Sequence, residues 1–213
     1  MSWIALNVHS QFSILDSTAS VTALAEKAKS YGMSALALTD MGNLYGAVDF
    51  YKACKQAGIK PILGCEIWVA PGSRLEKKRI PGQPNGFPLV LLAKNNKGYQ
   101  NLCKLSSLGF LEGFYYQPRI DKEVLALHRE GLICLSGPLQ GRISYLILQD
   151  LDLELKEEIV WCKEQFGEDF YFELQRHPMS EEQILADGME KEPWLLQKYR
   201  DYVAAEQRVN AKL

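Results

Sequence analysis

A polar cluster joins an apolar run to an amphipathic one in the stretch Leu36-Ala37-Leu38-Thr39-Asp40-Met41-Gly42-Asn43-Leu44-Tyr45-Gly46-Ala47-Val48. The apolar run, Ala35 to Leu38, is short and follows a turn at Gly32, which is typical of a buried strand. From Tyr45 onward the apolar residues recur at helical spacing. Asp40 is therefore predicted at the carboxyl end of a strand, where α/β barrels gather their binding and catalytic side chains.

Two more polar residues stand in the same position relative to a predicted strand. His9 comes after the run from Trp3 to Val8, and Glu66 comes after the run from Pro61 to Cys65. Imidazole and carboxylate groups are common metal ligands. The sequence therefore predicts that His9, Asp40 and Glu66 share one rim as potential metal ligands.

The composition is that of an ordinary globular chain, with 213 residues of which 47% are hydrophobic and 23% charged. A net charge of −2 argues against independent binding to a phosphate backbone. The five cysteines are widely separated, which predicts reduced core thiols rather than a zinc knuckle or disulfides. The chain shows neither a signal peptide nor an apolar run long enough to span a bilayer. We therefore expect a soluble, cytoplasmic protein of one domain with no membrane partner.

Strands and helices are predicted to alternate along the chain. The predicted strands cover residues 3–8, 35–38, 59–69, 88–93, 131–135 and 169–174. The predicted helices cover residues 21–31, 45–57, 99–108, 121–128, 143–149, 153–166 and 194–213, with one more opened by a capping box at residues 180–183. This order predicts a mostly parallel sheet whose unit count approaches that of a closed barrel. Because the chain ends on a helix with no strand after it, we expect one domain over residues 1–213 that lacks its last unit.

Two stretches interrupt this alternation. Residues 71–87 combine prolines and glycines with a basic patch, and residues 112–119 are rich in aromatic side chains. Both are predicted to be loops, and the basic loop is assigned no function.

Six stretches of the chain resemble the PHP (polymerase and histidinol phosphatase) domain at the N terminus of bacterial replicative DNA polymerase III alpha subunits. In chain order they are His9–Asp16, Thr39–Val48, Gly58–Glu66, Gly98–Leu102, Gly113–Asp121 and Gly131–Gly137. The resemblance implies a distorted (β/α)7 barrel of the TIM type, here without its last unit. It also implies that the domains for DNA synthesis lie in a longer polymerase chain.

The resemblance further implies a degenerate metal site. Family members with an intact site hold up to three metals, which support phosphoester hydrolysis or 3′–5′ proofreading. Four ligand positions match the family, four are replaced, and the last family ligands would lie beyond Leu213. The matching residues are His9, Asp40, Glu66 and His177, and the replaced positions carry Asn7, Met41, Pro88 and Pro138. Because each metal needs three or four ligands, we expect no cofactor, and at most one zinc or manganese ion per chain.

Each matching residue also has a possible role without metal. These roles are a contact with a backbone carbonyl for His9, a helix cap near Asn43 for Asp40, a pair with Lys60 or Lys94 for Glu66, and a turn before Pro178 for His177.

Three functions follow from the resemblance. The leading hypothesis is a non-catalytic domain that stabilises the remainder of the polymerase chain and docks replisome proteins, among them a proofreading exonuclease subunit, with DNA reached only through the full-length polymerase. The alternative is an active metal-dependent phosphoesterase or 3′–5′ proofreading exonuclease. A free-standing phosphatase of the histidinol-phosphate type is the third, and the polymerase-like run from Gly98 to Asp121 argues against it.

Overall fold

The computed structural model describes residues 3–79 and 81–213. Strands β1 to β6 span Ala35–Leu38, Lys60–Val69, Phe87–Ala93, Arg119–Ile120, Leu132–Leu135 and Phe170–Tyr171. Helices α1 to α8 span Val21–Ser30, Ala47–Ala57, Asn96–Leu111, Lys122–Leu127, Arg142–Leu148, Asp152–Phe166, Glu181–Ala186 and Pro193–Lys212. In this described part of the chain, no helix is both long enough and apolar enough to cross a membrane.

The strands form one mixed sheet in the order β1-β2-β3-β5-β6, and β4 pairs with β2. Strand β3 is antiparallel to both of its neighbours, whereas the other pairings are parallel. The reversal arises because a loop joins β2 to β3, and a loop returns the chain antiparallel where a helical crossover would keep it parallel. The predicted α/β class is confirmed. The pairings of the described residues do not join β6 back to β1, so the closed seven-stranded barrel stays a prediction.

The predicted strand over residues 3–8 is wrong, because these residues do not form a regular strand. The segment does lie along β1, because the carbonyls of Ala5 and Val8 accept bonds from the amides of Ala37 and Thr39 at 3.0 and 2.9 Å. The amide of Val8, however, donates to the Thr39 side-chain oxygen at 2.9 Å instead of a backbone carbonyl. The ladder is interrupted at that point, and the chain turns toward the sheet edge with His9.

The predicted helix starts are largely confirmed by side-chain caps. The Ser20 hydroxyl accepts a bond from the amide of Ala23, and the Asp121 carboxylate accepts one from the amide of Val124. Both halves of the capping box between Ser180 and Gln183 are present. Local sequence therefore determines where these helices begin.

The two larger core clusters pack helices against one face of the sheet, and a small third cluster around Val90 and Leu92 lies on the opposite face. The larger cluster packs β2, β3 and β5 against α3 to α6, and its fully buried members include Leu91, Leu102 and Leu125. The smaller cluster packs α1 and α2 against β1 around Phe50. This packing holds the strand ends at one edge of the sheet, where the predicted ligands were expected.

Candidate functional site

A cavity of about 600 Å³ opens where the chain leaves β1 and enters β3. Since β3 is antiparallel to β2, its first residues meet the same edge as the carboxyl end of β1. The cavity walls are formed by Asn7, His9, Asp16, Ser17, Met41, Glu66, Trp68, Pro88, Pro138, Gln140, Gln175, His177 and Tyr202. Three of the four predicted ligands, His9, Glu66 and His177, therefore meet at one cavity, whereas Asp40 does not line it.

His9 lies between two carboxylates. Its Nδ1 contacts a carboxylate oxygen of Asp16, and its Nε2 lies 3.2 Å from Oε2 of Glu66. Burial lowers the pKa of His9, but the hydrogen bonds and negative charges of Glu66 and Asp16 outweigh it and raise the pKa to about 9. The ring is thus a cation that donates from both nitrogens. The expected contact with a backbone carbonyl is wrong.

Asp40 is buried beneath the cavity and faces a loop. Its carboxylate accepts bonds from the amide and hydroxyl of Ser10 at 2.6 and 2.7 Å, and from the hydroxyl of Ser13 at 2.7 Å. With only 1% of its surface exposed, the side chain ties this loop to the end of β1. The predicted helix cap is wrong, because Gly46 precedes α2 and no side chain caps it.

Glu66 is buried and pairs with neighbours that differ from the predicted lysines. Its Oε2 contacts His9 and accepts a long bond of 3.4 Å from the side-chain amide of Asn7. Lys94, one of the predicted partners, binds Asp169 at 2.8 Å. The pairing with a lysine is therefore wrong.

Glu173 is a carboxylate of this region that the sequence reasoning missed. Its Oε1 accepts bonds from the side-chain amides of Asn7 at 3.0 Å and Gln175 at 2.8 Å. Its Oε2 is buried and has no partner among the described residues. Burial raises the pKa of Glu173. It was missed because the predicted strand ran to residue 174, whereas β6 ends at Tyr171 and leaves Glu173 just past a strand end.

His177 is bound by a residue of α8. Its amide and its Nδ1 contact the two carboxylate oxygens of Glu206 at 3.0 and 2.7 Å. Glu206 is only 3% exposed, so the pair anchors α8 beside the cavity. The role of His177 therefore goes beyond shaping a turn. One feature of the sequence could have identified Glu206: it is a charged residue at a position where the amphipathic pattern of the helix places apolar residues.

The replaced ligand positions also line the cavity. Asn7, Met41, Pro88 and Pro138 stand in its walls, as the resemblance implied. The Asn7 amide links Glu66 to Glu173, so it acts as a hydrogen-bond donor between two carboxylates. Within residues 3–79 and 81–213, no group of three or more His, Cys, Asp and Glu side chains is arranged to hold a metal ion.

Comparison with known proteins gives one family. The profile of the PHP domain matches residues 5–177. The DNA polymerase III subunit alpha of Chlamydia trachomatis is 48% identical over 210 residues, which are 99% of this chain and 17% of that protein. The corresponding subunit of Thermus aquaticus is 47% identical over 184 residues, 83% of this chain and 15% of that protein. The chain thus spans about a sixth of the length of the relatives it matches.

Among solved structures, an amidohydrolase from Chromobacterium violaceum overlaps 49% of this chain and 34% of its own, with a TM-score of 0.36 and 21% identity. A likeness of that size carries no argument about function. The family profile, in contrast, covers most of the chain, including all four predicted ligands. The chain therefore belongs to the PHP domain family.

Proposed function

We propose that the chain is the PHP domain of a replicative DNA polymerase III alpha subunit and has a structural and docking role without phosphoester hydrolysis. DNA-templated DNA synthesis is the proposed activity of the full-length polymerase. One observation carries the proposal: the ionisable side chains at the strand-end cavity are bonded to one another, as His9 is to Asp16 and Glu66 and His177 is to Glu206.

The chemistry of the side chains at the former ligand positions supports the loss of the metal centre. A hydrolytic centre needs several donor atoms that converge on each metal and a free coordination position for water. Both ring nitrogens of His9 already face carboxylates, and Asp40 already accepts three bonds from serines. Asn7 donates its amide to carboxylates, and Met41 offers only a soft thioether. We infer that these residues do not fit a cluster of two or three metals, and that one zinc or manganese ion per chain is the upper limit.

The fold and the location complete this proposal. We propose that the six strands belong to a distorted (β/α)7 barrel of the PHP type and that the protein works in the cytoplasm. The shared sheet edge of His9, Glu66 and His177 supports a barrel rim, since barrels collect such residues at one end.

The proposed partners are the remainder of the polymerase chain, a proofreading exonuclease subunit and other replisome proteins. The named relatives support the first partner, because they are about six times as long as the matched region. The net charge of −2 supports contact with DNA only through the full-length polymerase.

Metal content and nuclease activity test the proposal together. The protein is purified without chelator, and bound zinc, manganese and iron are measured before and after soaking in each metal, with His9→Ala as the control. Removal of 3′ ends from a labelled single-stranded oligonucleotide is then measured with manganese and with chelator. We expect no stoichiometric metal and no excision above the chelated sample. About one metal per chain that is lost in His9→Ala, together with manganese-dependent excision, would establish the exonuclease alternative instead.

A further inference from the structure

A second cavity, of about 300 Å³, lies between the sheet and helices α4 and α6. It shares only Pro88 with the strand-end cavity. Its walls are largely apolar and include Val69, Phe87, Leu89 and Trp161. Small-molecule sites are typically apolar concavities of this kind with a few polar groups that fix the orientation of the ligand.

The polar groups of this cavity carry an excess of positive charge. Lys122 and Arg142 both approach one carboxylate, that of Glu158. The Lys122 Nζ lies 2.8 Å from Oε2 of Glu158, and the Arg142 Nε lies 4.0 Å from the same oxygen. The single negative charge of Glu158 thus lies near two positive charges, and it is closer to Lys122 than to Arg142. The remaining charge is one positive unit, centred on Arg142.

The Arg142 guanidinium is held in place, but one of its nitrogens lacks a hydrogen-bond acceptor in the described part of the chain. Its guanidinium carbon lies 4.9 Å from the ring centre of Phe87 and 5.7 Å from that of Tyr145, so the two rings orient the group. Its Nη1 is buried and has no acceptor among the described residues. Buried donors are seldom left without a partner, and the planar guanidinium matches a carboxylate with two parallel bonds. A carboxylate is therefore the acceptor that best fits this group.

We propose that this cavity binds a carboxylate carried on an apolar body, with the carboxylate on Arg142 and the apolar part between Phe87 and Trp161. The single excess charge matches a monoanion. Such a group occurs in a free aromatic or aliphatic acid and at the C terminus of a peptide that ends in an apolar residue. The site is independent of any activity at the strand-end cavity.

Titrations with matched acids and amides test this site. Phenylpropionate and its neutral amide are titrated into the protein, and so are a peptide that ends in phenylalanine and the same peptide with an amidated C terminus. The NMR signal of the Trp161 indole reports occupancy, since that ring lines the cavity. We expect the acids to bind at least about tenfold more tightly than the amides, because only the acids pair with Arg142. Tighter binding of the free acid or of the peptide identifies the source.

Three variants locate the binding. Arg142→Gln is expected to weaken it about tenfold to a hundredfold, whereas Arg200→Gln, at an exposed position of α8, leaves it unchanged. Glu158→Gln is expected to tighten it, since both cations are then free for the ligand. Gly72 lines the cavity, and a Cβ built on it meets no atom within 4 Å. Gly72→Leu should therefore add an apolar side chain at the cavity wall without a clash, and we expect it to weaken binding.

The outcomes that would overturn the proposal are equally specific. They are the absence of saturable binding by every probe, equal affinity for acid and amide, or unchanged affinity in Arg142→Gln. Far-ultraviolet circular dichroism of each variant verifies that the fold is intact, and Gly72→Leu tests the same cavity without altering any charge.

Discussion

At the scale of single residues, Asp40 is the clearest case of a predicted ligand that the fold uses for stability. Its carboxylate accepts bonds from Ser10 and Ser13, which follow His9 in the chain. The residue thereby ties the loop behind the cavity to the end of β1. A carboxylate that is buried and fully bonded in this way is costly to remove, because its donors are left without partners.

Replacing Asp40 measures that contribution. Asp40→Ala is expected to lower the free energy of unfolding by about 3 kcal/mol, since several buried donors lose their acceptor. Ser13→Ala, which removes one of the three bonds, is expected to cost about 1 kcal/mol. Urea unfolding followed by circular dichroism gives both values. A loss in Asp40→Ala no larger than that in Ser13→Ala would contradict the assignment.

The charge of His9 is a second prediction at this scale. Because Glu66 and Asp16 outweigh the effect of burial, the ring should titrate in the folded protein at a pKa of about 9, above its ordinary value. The folded state therefore binds this proton more tightly than the unfolded state. The stabilisation is complete below the unfolded pKa of about 6.5 and is lost as the pH rises through about 9.

NMR titration of the histidine ring signals measures this pKa directly. Asp16→Asn is expected to move the His9 pKa downward, because one of the two negative partners is removed. His128 serves as the internal control, since burial and the nearby Lys104 and Lys97 hold its pKa below the ordinary value. A His9 ring that titrates together with His128 would show that the pairing with Glu66 and Asp16 is absent in solution.

At the scale of elements, the two predicted loops are held together by several side chains, of which Arg119 is the most buried; Arg74 and Lys77 add contacts to Glu112. Arg119, in β4, is 2% exposed and donates to the backbone carbonyls of Asn85, Glu76 and Gly113 at 3.0, 2.9 and 3.1 Å. The basic loop is therefore held against the aromatic loop. A guanidinium suits this task because its five donors point in fixed directions.

Loss of this contact should release the basic loop. Arg119→Gln is expected to speed tryptic cleavage after Lys77, Lys78 or Arg79 by at least about tenfold, since local opening becomes easier. Arg129→Gln, at an exposed position, serves as the control. Timed digestion with mass spectrometry identifies the cleaved bonds. Cleavage of Arg119→Gln at the rate of the unmutated protein would mean that other contacts hold the loop.

At the scale of the whole molecule, stability should not depend on metal. A metal that binds the folded state at about a hundred times its dissociation constant adds about 2.7 kcal/mol, which corresponds to about 5–10 °C in a chain of this size. We expect the thermal midpoint to change by less than about 1 °C with chelator or with added manganese or zinc. Differential scanning calorimetry gives the midpoints, and a metal-dependent rise that disappears in His9→Ala would contradict the proposed loss of the centre.

The sequence by itself determined the features that depend on near neighbours. Local signals predicted the start of α1 at Val21, the end of α2 at Ala57 and the strand at Ala35–Leu38, and the structure has all three. The strand-end pattern also predicted that His9, Asp40 and Glu66 share one rim, and the structure has His9 and Glu66 at one cavity but not Asp40. These inferences succeed because capping, turn chemistry and alternation act over a few residues.

Only the tertiary structure decided which groups face one another. His9 meets Glu66 57 positions away, and His177 meets Glu206 29 positions away. The burial of Asp40 under serines and the position of Arg142 over the Phe87 ring likewise depend on contacts between distant segments. A side chain at a strand end has the same local sequence whether it binds a metal, a histidine or a serine. Its partner is set by what the folded chain places within hydrogen-bond distance, because a buried polar group is stable only when it is paired.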